Sequence, residues 1–166
     1  MFKLKFDSIV KALIKDHVLG RPIGHMYVIE YQKRGLPHAH ALIILHSDDK
    51  PRNPRDYDQL ICAELPHPDR EPQLYGTVTS CMMHGPCGAA CPTCPCMVDG
   101  VCSKRFPKDF LDETRETDGY PEYRRRDDGR TFAKAVPGRA DPVPLDNRHV
   151  VPYNRALCKR FNVSVV

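Results

Sequence analysis

Six of the eight cysteines, Cys81, Cys87, Cys91, Cys94, Cys96 and Cys102, fall within a stretch of 22 positions, and only Cys62 and Cys158 lie elsewhere. Thiols this close together either oxidise to disulfides or share a metal. Either outcome ties down a segment too rich in Pro and Gly for a long helix or strand. The start of the chain, MFKLKFDSIVKALIKD, places a charge every few residues where an export signal has an unbroken apolar run. The reading is therefore a reduced, metal-binding segment over residues 84–102 rather than a secreted disulfide framework.

Around that segment the chain is long enough, at 166 residues, for one domain with a real core. Its 16 prolines predict long irregular connections. No stretch approaches the roughly 18–20 apolar residues of a membrane span, so a soluble protein without a membrane partner is expected. A net charge of +4 permits a polyanionic partner without requiring one.

Apolar Phe2, Phe6, Ile9, Val10, Leu13 and Ile14 recur at helical spacing and predict a helix from Phe2 to about Val18. Residues 26–32 and 38–45 read as strands joined by a five-residue loop, Lys33 to Pro37. Helices are expected near 57–64 and 72–83, a short one over 107–117, loops over 118–147, and strands again at Val150-Val151 and Phe161–Val166.

Alternation along the first strand puts Glu30 and Gln32 on one face, and in the second strand His38 and His40 share a face. A simple antiparallel pairing would set Gln32 opposite His38 and Glu30 opposite His40, with facing Cβ atoms roughly 4.5–5.5 Å apart. Two imidazoles and one side-chain oxygen leave coordination positions open, as a Lewis-acid site for a phosphodiester requires. A lone His-x-His on a strand is commonly incidental; the opposed Glu/Gln pair is what strengthens this one. The spacing does not choose between Glu30 and Gln32 as third ligand.

The string YVIEYQKRGLPHAHALI, Tyr27 to Ile43, resembles the central motif of the replication-initiator domain of Helitron-type rolling-circle transposases, which are HUH endonucleases. Further similar strings are FKLKFD from Phe2, HGPCG from His84, PCM from Pro95, CSKRFPK from Cys102, GYPEYRRR from Gly119 and DNRHVVPYN from Asp146. The resemblance implies an α+β fold with a central antiparallel sheet and flanking helices, interrupted by the loop-rich Cys/His segment. It implies that His38 and His40, with Glu30 or Gln32, hold Mg²⁺ or Mn²⁺, and that single-stranded DNA is the partner. It also implies a nuclear location and, in longer relatives, a helicase domain.

In that family DNA is nicked and rejoined by paired tyrosines that follow the segment resembling Val150–Val166. The chain therefore reads as a truncated endonuclease domain, and whether it is itself an enzyme stays open. Tyr153, in Val-Pro-Tyr-Asn, reads as structural rather than catalytic. His84, Cys87, Cys96 and Cys102 match the family pattern and are the expected Zn²⁺ ligands, whereas Cys91 and Cys94 are extra; reduced cysteines and a packed His are the alternative. Lys33 and Arg34 at the hairpin tip, and Arg124, Arg125 and Arg126, are candidate DNA contacts, because guanidinium forks match phosphate oxygens. Arg130, Lys104 and Arg105 are weaker candidates. Two other functions fit the same residues: a catalytically inactive DNA-binding relic, and a zinc-stabilised interaction domain.

Overall fold

A computed structural model describes residues 2–31 and 35–166. They cluster into two compact units, Met1–Arg52 and Asn53–Val166. Gln32, Lys33 and Arg34, three of the candidate residues, lie outside the described residues.

In the first unit the helical periodicity becomes α1 (Phe2–Ile14), which buries Phe6, Ala12 and Leu13. Phe6 meets Tyr27 edge-on, with ring centroids 4.8 Å apart, so the Tyr27 face of the following hairpin is the one backed by α1. That hairpin is β1 (Pro22–Tyr31) paired antiparallel with β2 (Pro37–Leu45). Its base is closed by Arg21, whose backbone N–H and Nε donate to Asp49 Oδ2 at 2.6 and 2.8 Å. Gly20, with φ +111°, is required there: a Cβ would stand 2.8 Å from that of Asp49.

The second unit holds α2 (Pro54–Leu60), α3 (Pro72–Cys81), β3 (Met97–Val98), β4 (Val101–Cys102), β5 (Arg115–Thr117), β6 (Tyr120–Glu122), β7 (Phe132–Lys134), β8 (Val143–Leu145) and α4 (Arg155–Phe161). Its core joins Leu65, Leu74, Val78, Met82, Met83, Leu145, Val150, Tyr153 and Cys158. Burying each such aliphatic or aromatic side chain contributes about 1.5–3 kcal/mol. Polar groups knit the core to the connecting segments: the Asn147 side chain accepts from Leu65 N–H at 2.7 Å and donates to Arg126 C=O at 2.8 Å.

The α+β composition holds, but instead of one central sheet the described strands form four separate two-stranded antiparallel pairs. Several local expectations are corrected: the loops expected over 118–147 hold β6, β7 and β8, and Val150 forms only an isolated bridge with Met83 in place of the expected strand. Residues 107–117 form no helix, because Leu111 and Arg125 exchange backbone hydrogen bonds of 3.0 and 2.8 Å in extended geometry. The Phe161–Val166 segment is not a strand. The Asn154 side chain accepts from Leu157 N–H at 2.8 Å and starts α4, which ends at Asn162 in the left-handed region, φ +50°. No helix among the described residues is long and apolar enough to cross a membrane.

Candidate metal centres

The Cys/His segment is assembled from both of its ends. Met83, two residues beyond α3, pairs with Val150, and the next residue, His84, donates its backbone N–H to His149 C=O at 2.8 Å. The His84 ring then stacks on Phe106, with centroids 4.2 Å apart and planes 16° from parallel. Gly85 permits the turn into Cys87: its φ is +99°, and a Cβ would stand 3.2 Å from the Cys87 backbone nitrogen.

On the far side β3 and β4 are joined by Asp99-Gly100, both at positive φ (51° and 79°), the backbone of a tight hairpin turn. The hairpin sets Cys102 opposite Met97, and Ser103 N–H donates to Cys96 C=O at 2.8 Å. Cys96 and Cys102 therefore arrive together.

The ligand atoms of His84, Cys87, Cys96 and Cys102 all lie within 4.8 Å of one another. Cys102 Sγ is 3.3 Å from His84 Nε2. A tetrahedral zinc with bonds of about 2.0–2.3 Å needs donor separations of roughly 3.3–3.8 Å, so a small contraction seats the ion. The His/Cys cluster can hold a metal such as zinc.

The electrostatics suit a cation. Burial, and then the neighbouring Cys102 and Cys96, push the Cys87 thiol up to about 12. Burial also acts to raise Cys102, but backbone hydrogen bonds at Phe106 and Lys104 outweigh it and hold that thiol below its usual value. Burial, followed by the charges of His149 and three lysines, lowers His84, which favours the neutral imidazole that ligates metals. A divalent ion would relieve the repulsion that three crowded thiolates otherwise impose.

Cys91 and Cys94 stand apart from this quartet and are joined to each other as a disulfide. The expectation that the clustered thiols are all reduced is thus corrected for that pair. Their Cα atoms lie 5.6 Å apart, within bridging range.

The β1–β2 hairpin offers a second, more open set of donors. Its register pairs Glu30 with His38 and Val28 with His40. This corrects the expected pairing: Pro37 serves as the first residue of β2 and pairs with Tyr31, a place where the absent N–H costs no ladder bond. Glu30 therefore takes the place opposite His38 that was expected of Gln32. Facing is preserved, since each strand keeps its alternation. Glu30 reaches diagonally to His40, with Oε2 3.2 Å from Nε2, close to the roughly 3.0 Å between neighbouring ligands of an octahedral ion with bonds of about 2.1 Å. His38 lies across from Glu30 but forms no three-ligand cluster with it and His40 among the described residues. Both side chains of the pair are exposed, His40 at 70% and Glu30 at 62%.

The arginine run divides. Arg125 is buried, 4% exposed, and its Nη1 donates to the carbonyls of Ala63, Asn147 and Val150 at 3.3, 2.8 and 2.6 Å. It is an interior strut, which corrects its expected place among DNA contacts. Arg126 forms a two-pronged pair with Glu64, its Nε and Nη2 donating at 2.9 and 2.7 Å. Arg124 lies 3.3 Å from Asp58 and 3.6 Å from Glu64. Tyr153 is fully buried, and its hydroxyl donates to Glu64 C=O at 3.1 Å. Burial, then Cys62, raises its pKa far above the ordinary phenol range, the opposite of an activated nucleophile. What sequence reasoning missed is Glu64, an acid in an apolar stretch whose two-pronged partner, Arg126, lies 62 positions on in the same arginine run.

Residues 1–43 match the family model described as Helitron helicase-like domain at N-terminus. No curated protein matches the chain. The matched stretch contains α1, β1 and most of β2, and with them Glu30, His38 and His40, so this part of the chain is similar to the N-terminal region of Helitron-related proteins.

Proposed function

We propose that this chain is a DNA-handling fragment of a Helitron-type transposase endonuclease region, working on single-stranded DNA in the nucleus. The observation that carries the reading is the coincidence of Glu30, His38 and His40 on one exposed hairpin face with the segment that matches the Helitron profile. In this reading the three residues hold Mg²⁺ or Mn²⁺, with Glu30 as the carboxylate ligand because it neighbours both histidines. The ion, when bound, supplies Lewis acidity toward a scissile phosphate. The chain's own contribution is positional. The strand backbone fixes the two imidazoles and Glu30 orients the His40 ring; Lys33 and Arg34, which lie outside the described residues, are in this reading further cationic contacts to the strand. In this reading the cutting tyrosines and the helicase belong to longer relatives.

The Cys/His quartet serves the same protein as a structural Zn²⁺ site that orders residues 84–106. The depth of Tyr153 in the core favours binding over cutting as the role of these residues themselves.

The test is fluorescence anisotropy with a labelled single-stranded oligonucleotide, with and without Mn²⁺. Affinity should fall steeply between about 50 and 200 mM salt as counterion release loses its drive, and Mn²⁺ should strengthen it. A His38→Ala/His40→Ala variant should lose the Mn²⁺ increment alone. Equal Mn²⁺ affinity in both proteins would remove the hairpin site, and absence of strand binding at low salt would remove the DNA reading.

A further inference from the structure

A cleft in the second unit is used by neither metal cluster. Its volume is about 350 Å³, and its wall carries the guanidinium groups of Arg70, Arg126, Arg130 and Arg155 against the carboxylates of Glu64 and Glu71. That volume falls within the usual range of ligand clefts, about 300–1,000 Å³.

The carboxylates do not consume the positive charge. Glu64 is shared between Arg126 and Arg124, and Glu71 between Arg155 and Lys159. Arg130 is held by Asp128. Arg70 has no carboxylate or other hydrogen-bond acceptor among the described residues.

The pairing also fixes the forks. Arg126 spends Nε and Nη2 on Glu64, and Arg130 spends the same two nitrogens on Asp128, so each keeps its Nη1 donors unassigned among the described residues. Guanidinium groups already held in place lose little side-chain entropy when they take a second acceptor. Their planar donors suit tetrahedral oxyanions better than solvated lysines do. A wall with surplus cations, free donors on pre-set forks and one uncommitted arginine is built for an anion.

We propose that this cleft seats a backbone phosphodiester of a nucleic-acid strand. The proposal rests on the single-stranded DNA reading above and adds a second point of contact on a different unit from the hairpin. Phosphate is the chemistry recognised. The cleft takes it from within a strand and not from a free 5′ end, because a diester carries a single negative charge and, of the four cleft arginines, Arg126, Arg130 and Arg155 already have carboxylate partners, which leaves Arg70 to answer it.

The experiment uses the intact chain, wild type and Arg70→Gln. Arg70 makes no contact that the fold depends on, so the variant should melt with the wild type. In a salt series, Arg70→Gln should bind a single-stranded oligonucleotide about five- to tenfold more weakly, and the slope of log affinity against log salt should fall by about one. Oligonucleotides with a 5′-phosphate and a 5′-hydroxyl should bind alike. Unchanged affinity and slope in Arg70→Gln, with the wild type binding, would overturn the cleft and leave the DNA reading standing. A strong preference for the 5′-phosphate would overturn the backbone assignment. If the wild type binds no strand, the DNA reading fails, and the cleft is judged by titrating inorganic phosphate while following the arginine Nε–Hε resonances. Shifts of Arg126, Arg130 and Arg155 that are absent in Arg70→Gln would support an anion site; no shifts would overturn it.

Discussion

The β1–β2 hairpin and the Cys/His segment carry candidate ligands of equal chemical quality and present them in opposite ways. The hairpin is regular, and its faces follow from alternation, yet its described donors stand on an exposed surface and among the described residues only Glu30 and His40 touch. The Cys/His segment has little regular structure, but a buried core anchors its start through Met83 and Val150 and a tight turn folds its end back, so four donors converge. A strand fixes direction without closing a site. Closure comes from loops whose ends are held elsewhere. The difference predicts that removing donors should damage the fold in the second region and only ligand binding in the first.

The largest effect is expected from Cys102→Ser, or from chelation of the wild type. Either should lower the melting temperature by many degrees and disorder residues 84–106, because binding free energy at a structural zinc site is folding free energy. Calorimetry with and without chelator checks this, and a chelator-insensitive transition would break the comparison. Close behind is Arg125→Met. It removes the donor from the carbonyls of Ala63 and Val150, while Asn147 C=O still accepts from Val150 N–H at 3.3 Å, and the loss should reach about 2 kcal/mol or more in urea unfolding, since each unsatisfied buried group costs about 1–3 kcal/mol.

Gly85→Ala should cost about 1–2 kcal/mol through positive-φ strain. It should weaken zinc binding at the same time, because the added methyl presses on the Cys87 backbone. A loss of stability without a loss of zinc affinity would separate the turn from the site.

These effects were legible to different degrees. The hairpin's two faces were readable from alternation, and the four converging ligands from their resemblance to a family pattern. The register was not, because nothing in a pattern of period two shows that pairing closes at Tyr31 and Pro37. The turns at Asp99-Gly100 and Asp118-Gly119, each at positive φ, carried the strongest short hairpin signal available. That signal was masked by the Cys, Pro and charge around it. Asn154 and Asn162 likewise mark the ends of α4 in the sequence, but the apolar run after Phe161 read as strand. Burial of Arg125 was illegible in principle: in an extended segment neighbouring arginines point opposite ways, and only distant carbonyls decide which one goes inside.

A pH effect sharpens the contrast. Burial acts to raise the Glu64 carboxyl, but the hydrogen bonds and charge of Arg126 outweigh it, so its folded pKa lies below the ordinary 4.5. A carboxyl lowered on folding gives stability that is fully present above its unfolded pKa and is lost as pH falls through the folded one. The wild type should therefore lose stability in acid below about pH 4.5. Glu64→Gln, less stable at neutral pH, should show a flatter acid limb. An unchanged acid limb would mean that Glu64 is not the titrating group. The smallest effect belongs to the hairpin: Glu30→Gln should change stability by less than about 0.5 kcal/mol, because an exposed pair contributes little, while lowering Mn²⁺ affinity. A large destabilisation would show that the hairpin is more tightly tied into the fold than its exposure indicates.

The most direct measurement is elemental analysis of the purified wild type, Cys102→Ser and His38→Ala/His40→Ala proteins, each after dialysis against metal-free buffer. One zinc per chain is expected in the wild type and in the histidine variant, and none in Cys102→Ser. Zinc that survives in Cys102→Ser but disappears from His38→Ala/His40→Ala, or no zinc in the wild type at all, would contradict the assignment of the closed site to the Cys/His segment.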